Sequence, residues 1–291
     1  MPICLVGMTT DAAAIHTHSH PFENLWPFPA TTIGNVAVTD IGRGSPLLFV
    51  HVGLWSFIWR DVVQRLKSEF RCIAIDAPGS GRSADVPNVS LEAAADAITN
   101  VIDTLDLREL TLIVHDLGGI AGLAAAARRP ERIRAIVGVN TFAWKPSRAL
   151  DTMLRIVGSR FVTAIDVRAR IIGRITATAF GVTRRSDQAT RAAVAESIDG
   201  RALRTFHAYM RDARRAAPLY DEIDGAMRTS LRSLPLLTIF GERNDPFHLQ
   251  QQWKKRFPQA KQIVVPDGNH FPMCDAPDLV ASSIREFLKE N

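Results

Sequence analysis

The stretch Val114-His115-Asp116-Leu117-Gly118-Gly119 decides the fold. It joins a hydrophobic run, Leu110 to Val114, to an alanine-rich segment, Gly118 to Arg128. The run is short and apolar, as in a buried parallel strand, and the segment after it reads as a helix. A strand that runs straight into a helix makes a sharp elbow exposing one side chain. Small residues just beyond it let the helix pack closely on the strand. The exposed residue is Asp116, neither Ser nor Cys. A carboxylate there argues against ordinary ester hydrolysis and for attack on an alkyl carbon, giving an ester that water then cleaves. The competing reading is a turn in which Asp116 merely caps the next helix.

Context separates the two. An elbow nucleophile needs an oxyanion hole upstream, then an acid and a histidine downstream, in that order. Upstream, the apolar run Leu47 to Val50 ends at His51-Val52-Gly53. Downstream, Leu236 to Phe240 leads into Gly241-Glu242-Arg243-Asn244-Asp245-Pro246, and Gln262 to Val265 into Pro266-Asp267-Gly268-Asn269-His270. The order Asp116, Asp245, His270 fits. Asp116 is the expected nucleophile and His270 the base that activates water. Asp245 is the expected acid that orients His270, with Glu242 as its competitor. No acid stands at Asn140, where the preceding strand ends, which closes that alternative placement. Leu117 N–H and an N–H of Val52 or Gly53 are the expected oxyanion donors.

Around these segments strands and helices alternate, which implies a mostly parallel sheet flanked by helices. Asn35 to Ile41 alternates like an edge hairpin strand, while Cys72 to Ile75 and Ile133 to Val139 read as buried strands. Phe57 to Ser68, Ser90 to Leu105 with Ser90 as N-cap, and Asp278 to Lys289 read as helices. The strand ends carrying Asp76, Asp116, Asn140, Asp245 and His270 share the carboxyl edge, where open α/β sheets bind ligands. Between Asn140 and Leu234 the strand signal vanishes. The expected layout is therefore a tail over 1–20, a core over 21–140 and 235–291, and a helical cap over 141–234.

Composition agrees. The 291 residues are 46% hydrophobic, enough for a large core, and no apolar run has the length of a membrane span. The start lacks the basic opening of a signal peptide, so the protein is read as cytoplasmic and the first residues as a disordered tail. His16, His18 and His20 alternate in it, but no Cys or carboxylate completes a metal site. Three cysteines, Cys4, Cys72 and Cys274, at unrelated positions imply a reduced compartment. Cys72 is expected in the core and Cys274 at the site's mouth. From Lys145 to Arg232 there are 17 Arg and Lys against 9 Asp and Glu, so the basic balance belongs to the insert. Its arginines lie at helical intervals without grouped aromatics, which favours solvated faces or homo-oligomer contacts over nucleic-acid binding.

Taken together, these segments resemble the α/β-hydrolase fold, and in wording the haloalkane dehalogenases, with epoxide hydrolases as neighbours. The resemblance is carried by Pro21-Phe22-Glu23, Trp55 to Arg60, Asp76-Ala77-Pro78-Gly79-Ser80-Gly81-Arg82-Ser83, the elbow, Asn140 to Trp144, and His270 to Pro277. It implies an aspartyl-ester intermediate on a small apolar substrate, with no cofactor and no metal. It also favours Asp245 over Glu242, because Asn-Asp-Pro is similar to the family's acid loop.

Two departures bear on substrate. The family writes His-Gly-x-Pro where this chain has His51-Val52-Gly53-Leu54. Dehalogenases hold the leaving halide with a Trp after the nucleophile and an Asn or second Trp; here the first position is Leu117 and that Asn is missing. Trp55, Trp144 and Asn140 are the replacement candidates. Epoxide opening instead needs a phenol, for which Tyr209, with His207 beside it, is the candidate. The sequence thus leaves three readings: hydrolysis of a carbon–halogen bond, epoxide hydrolysis, and a non-catalytic binding protein on the same fold.

Overall fold

The computed structural model describes Trp26 and residues 28–291. The expected tail, its three histidines, Cys4 and Pro21-Phe22-Glu23 lie outside the described residues. The first half comprises β1 (Thr31–Ile33), β2 (Val36–Ile41), β3 (Pro46–His51), α1 (Arg60–Leu66), β4 (Arg71–Asp76), α2 (Leu91–Thr104), β5 (Leu110–Asp116), α3 (Gly118–Arg128) and β6 (Ile133–Thr141). Six helices follow: α4 (Arg148–Val157), α5 (Arg160–Ala169), α6 (Ile171–Thr176), α7 (Gln188–Ser197), α8 (Gly200–Ala213) and α9 (Ala217–Arg228). The chain then returns to the sheet through β7 (Leu236–Gly241), α10 (Leu249–Arg256), β8 (Lys261–Val265), α11 (Pro272–Asp275) and α12 (Pro277–Glu290).

The strands form one eight-stranded sheet in the order β1-β2-β4-β3-β5-β6-β7-β8. β2 pairs antiparallel with both β1 and β4, and the remaining pairings are parallel. The expected hairpin strand is therefore real but internal, with β1 outside it. The central strands are buried on both faces because helices cover both. One face packs Leu48, Val50, Leu112 and Val114 on α2 and α3; the other packs Phe49, Ile113 and Val137 on α1 and α12. Ser90 caps α2 as its sequence position implies, its hydroxyl accepting the Ala93 N–H.

Two features of this core position the site. Asp116 ends β5 at φ 50, a left-handed conformation that costs a non-glycine residue about 1–2 kcal/mol. Gly119 then lies so close to β6 that a methyl group there would collide with Thr141 Oγ1 and the Phe142 carbonyl. The glycine lets α3 start directly on the sheet edge. In β6 the pairing steps from His115↔Val139 to Asp116↔Thr141, so Asn140 bulges out, at φ 37. Asp116 and Asn140 thus turn out of neighbouring strands side by side.

Among the described residues no helix is long and apolar enough to cross a membrane. The insert between β6 and β7 contains no strand among its described residues. Gly200 and Pro218 stand in the first turns of α8 and α9.

Candidate active site

Asp116 and His270, expected together from loops far apart in sequence, meet at the carboxyl edge. His270 Nε2 lies 3.4 Å from Asp116 Oδ2. Their side chains are 34% (His270) and 18% (Asp116) exposed, so the pair opens to solvent. Burial pushes the Asp116 carboxyl up, but protonated His270, through its hydrogen bond and its charge, and the Leu117 N–H outweigh it. They hold it below the ordinary carboxylate value, and the group is an anion at neutral pH. Thr141 Oγ1 donates to the Asp116 carbonyl at 2.6 Å, fixing the strained elbow to β6.

The protons of the site follow from one backbone group. Gly241 N–H can only donate, so the atom of Asn140 facing it at 2.9 Å is Oδ1. Nδ2 of Asn140 therefore donates to the other side, reaching the carbonyls of Asn269 and His270 at 3.0 Å each and Asn244 Oδ1 at 3.3 Å. Asn244 Oδ1 in turn stands 3.0 Å from His270 Nδ1, so that nitrogen carries the hydrogen. In the imidazolium Nε2 also carries a hydrogen and donates to Asp116; in the neutral ring Nε2 holds the lone pair that a water-activating base needs.

This geometry differs from expectation at the acid. Asp245 does not touch His270. Its two oxygens accept the N–H groups of Leu249 (2.6 Å) and Gln250 (3.0 Å), the opening turn of α10. An anion on otherwise unpaired helix N–H groups is a stable arrangement, and it turns Asp245 away from the site. Asn244, one residue earlier, faces the imidazole. Glu242, the alternative, accepts the Asp267 N–H at 2.9 Å on the surface.

Two buried histidines to which the sequence assigns no role support His270 from below. His51 and His115 are paired across β3 and β5, and their Nδ1 atoms lie 2.9 Å apart. His115 Nε2 donates to the His270 carbonyl at 2.8 Å, so its Nδ1 is bare and accepts from His51. Burial, then the charge of His270, depress His51 to about 3. The same causes, burial first, hold His115 well below its ordinary value. Both are neutral struts. A cue is present in the sequence: on a strand, the residue before an outward-facing Asp116 points the opposite way, into the protein.

Leu117 and Val52, the expected oxyanion donors, are buried, and Gly53 is buried at φ 101 beneath Phe206. Trp55 stacks on Phe57 and carries the Arg82 guanidinium 5.3 Å over its ring. It lines a cavity of about 30 Å³ with Gly53, Ser80 and Arg201. Trp144 packs edge-on against Trp253 under Arg256, as part of the α10 layer. Asn140 is fully engaged as described.

His207 and Tyr209 were both expected to reach the pocket, and neither does. Residues two apart on a helix point to different sides. His207 is buried inside the insert, Nδ1 donating to the Val157 carbonyl and Nε2 lying 2.9 Å from Asp166. Tyr209 is buried on the core side, donating to the Pro78 carbonyl at 2.8 Å, and burial raises its phenol further from ionisation. Tyr220 is tied likewise to the Ala213 carbonyl. Cys274 is buried, its thiol donating to the Ile58 carbonyl, and burial pushes it up to about 12. It does not line the mouth. Among the described residues no group of three or more His, Cys, Asp or Glu is placed to hold a metal ion.

Residues 45–277 match the family described as the alpha/beta hydrolase fold. The chain belongs to the α/β-hydrolase family. Within it the wording is haloalkane dehalogenase-like. The chain is 29% identical over 281 residues to haloalkane dehalogenase 2 of Mycobacterium tuberculosis, covering 92% of this chain and 95% of that one. It is 30% identical over 267 residues to a cis-3-alkyl-4-alkyloxetan-2-one decarboxylase of Shewanella oneidensis, covering 86% and 83%. The haloalkane dehalogenase structure of Agrobacterium tumefaciens C58 superposes with a TM-score of 0.73 at 19% identity, over 90% of this chain and 96% of that one. That last likeness carries the fold.

Proposed function

We propose that this α/β-hydrolase works through an ester on Asp116, in the manner of a haloalkane dehalogenase. One observation carries the reading: a strained, ionised Asp116 at the elbow, 3.4 Å from His270 Nε2, the ring nitrogen that is free to exchange a proton. The carboxylate attacks an sp³ carbon in line, the carbon–halogen bond breaks, and halide leaves with the electron pair. His270 Nε2 then takes a proton from water, and the oxygen adds to the ester carbonyl. Leu117 N–H and an N–H of the Val52-Gly53 turn face the developing oxyanion. Collapse releases the alcohol and restores Asp116, so that halide, alcohol and one proton are the products. The helices between β6 and β7 act as the cap over this edge.

Epoxide opening loses its support, because both tyrosines spend their hydroxyls on backbone carbonyls. A second reading is favoured by Leu117 and Asn244. The site has an apolar side chain where halide donors belong, and an amide rather than a carboxylate at His270 Nδ1. A strained four-membered cyclic ester, the class for which the Shewanella relative is named, suits such a site better. Its leaving group is a carboxylate that remains tethered and spreads its own charge. The experiment is intact-protein mass spectrometry of His270→Gln. A haloalkane should add its alkyl group alone to Asp116, whereas a cyclic ester should add its whole mass. An unmodified protein across a broad panel of both sinks the nucleophile assignment and returns the non-catalytic binding protein.

A further inference from the structure

The insert carries a surface that the catalytic chemistry does not explain. Ile156, Phe161, Ile165, Ile171, Ile175 and Phe180 are exposed, the two phenylalanines 75% and 71% so. Among the described residues they are the large apolar side chains left open, apart from Val264 and Leu279. Their spacing makes neighbours of the pairs within each helix, and α4, α5 and α6 follow one another directly in the chain. Phe161 and Ile165 share one face of α5, Ile171 and Ile175 one face of α6, and Ile156 stands at the turn into α5. A soluble surface rarely shows so many large apolar groups in one run, and such a patch marks an interaction site.

Charge identifies what it meets. Over 152–180 the only carboxylate is Asp166, which is buried against His207. Arg155, Arg160, Arg168 and Arg174 in the same stretch are exposed, and none forms an ion pair among the described residues. A second copy of the chain would set these guanidinium groups against an identical positive surface. An anionic lipid surface complements both features, receiving the apolar side chains among its acyl chains and the arginines at its headgroups. We propose that this face of the insert docks the enzyme on anionic bilayers. Among the described residues no helix is long and apolar enough to span; the helices α4 to α6 lie on the membrane. The catalytic pair is open to solvent, and an apolar substrate concentrates in lipid, so docking brings the site to its substrate.

The test is flotation of the full chain with vesicles of equal parts phosphatidylglycerol and phosphatidylcholine, against phosphatidylcholine alone. Binding is expected to the anionic vesicles and to weaken with added salt. Each Arg→Gln change at 155 or 168 should lower partitioning about fivefold. Phe161→Ser with Phe180→Ser should lower it about tenfold or more, without unfolding, since both rings are outside the core. Equal binding to neutral vesicles, or none to either, overturns the proposal. So does a dimer in light scattering that disperses in the Phe161→Ser, Phe180→Ser variant without any vesicle binding, which would assign the face to a second copy. Binding is read without turnover, so its outcome is independent of the reaction assigned to Asp116.

Discussion

Asn244→Asp is the substitution that most directly probes the base. It keeps the shape of the side chain and the oxygen that accepts Asn140 Nδ2, and adds one negative charge 3.0 Å from His270 Nδ1. A neutral hydrogen bond contributes about 1 kcal/mol net and one to a charged group about 1.5–3. The imidazolium that forms as water is activated should therefore gain about 1.5 kcal/mol, or roughly tenfold in the rate of ester breakdown. The full effect of a triad acid, about 10⁴, is not expected, because His270 is 34% exposed and water screens the new charge. Rapid-quench mass spectrometry separates the two steps. The ester on Asp116 should form at the wild-type rate and decay about tenfold faster. Asn244→Ala should slow decay without slowing formation, since the ring loses the acceptor that sets its tautomer. If Asn244→Asp leaves decay unchanged while Asp245→Asn slows it, Asp245 reaches His270 during turnover and the reasoning fails.

Asp245→Ala should lower stability by about 1–2 kcal/mol in urea unfolding, the cost of a lost helix cap, while kcat stays within twofold or so; a collapse of kcat at full stability would contradict the capping role. Tyr209→Phe should cost about 1 kcal/mol of stability and leave turnover of every substrate intact, and selective loss of epoxide opening would restore the phenol as a proton donor. Acid should destabilise the protein early. Folded His51 titrates near 3 against 6.5 for an ordinary histidine, so between those values the unfolded chain binds more protons. Stability present above pH 6.5 is lost as pH falls toward 3, on the order of 5 kcal/mol for His51. A urea midpoint that stays constant from neutral pH down to about 4 would contradict this.

The elbow was legible because it rests on local chemistry. Only small residues permit α3 to start against β6, and its bounds, Gly118 to Arg128, match the alanine-rich run. His270 was legible because a loop histidine after a strand has one edge to reach. The choice between Asn244 and Asp245 was not. That loop has no periodicity, and its turn is set by Asn244 N–H on the Gly241 carbonyl and by α10 claiming Asp245. Sequence order names the loop, while competition for helix N–H groups chooses the residue. Trp144 was misplaced for a related reason: an indole near a site entrance packs wherever the largest apolar gap lies, here against Trp253. The separation of His207 from Tyr209 was available from helical spacing alone.

The peptide of His270 is gripped from two strands, its carbonyl receiving His115 Nε2–H and Asn140 Nδ2–H. The base thus keeps its place whatever stands at residue 244. An exchange between Asn and Asp there alters charge without disturbing this scaffolding. A single exchange at residue 244 should thus tune the activation of water about tenfold while the ring stays in place.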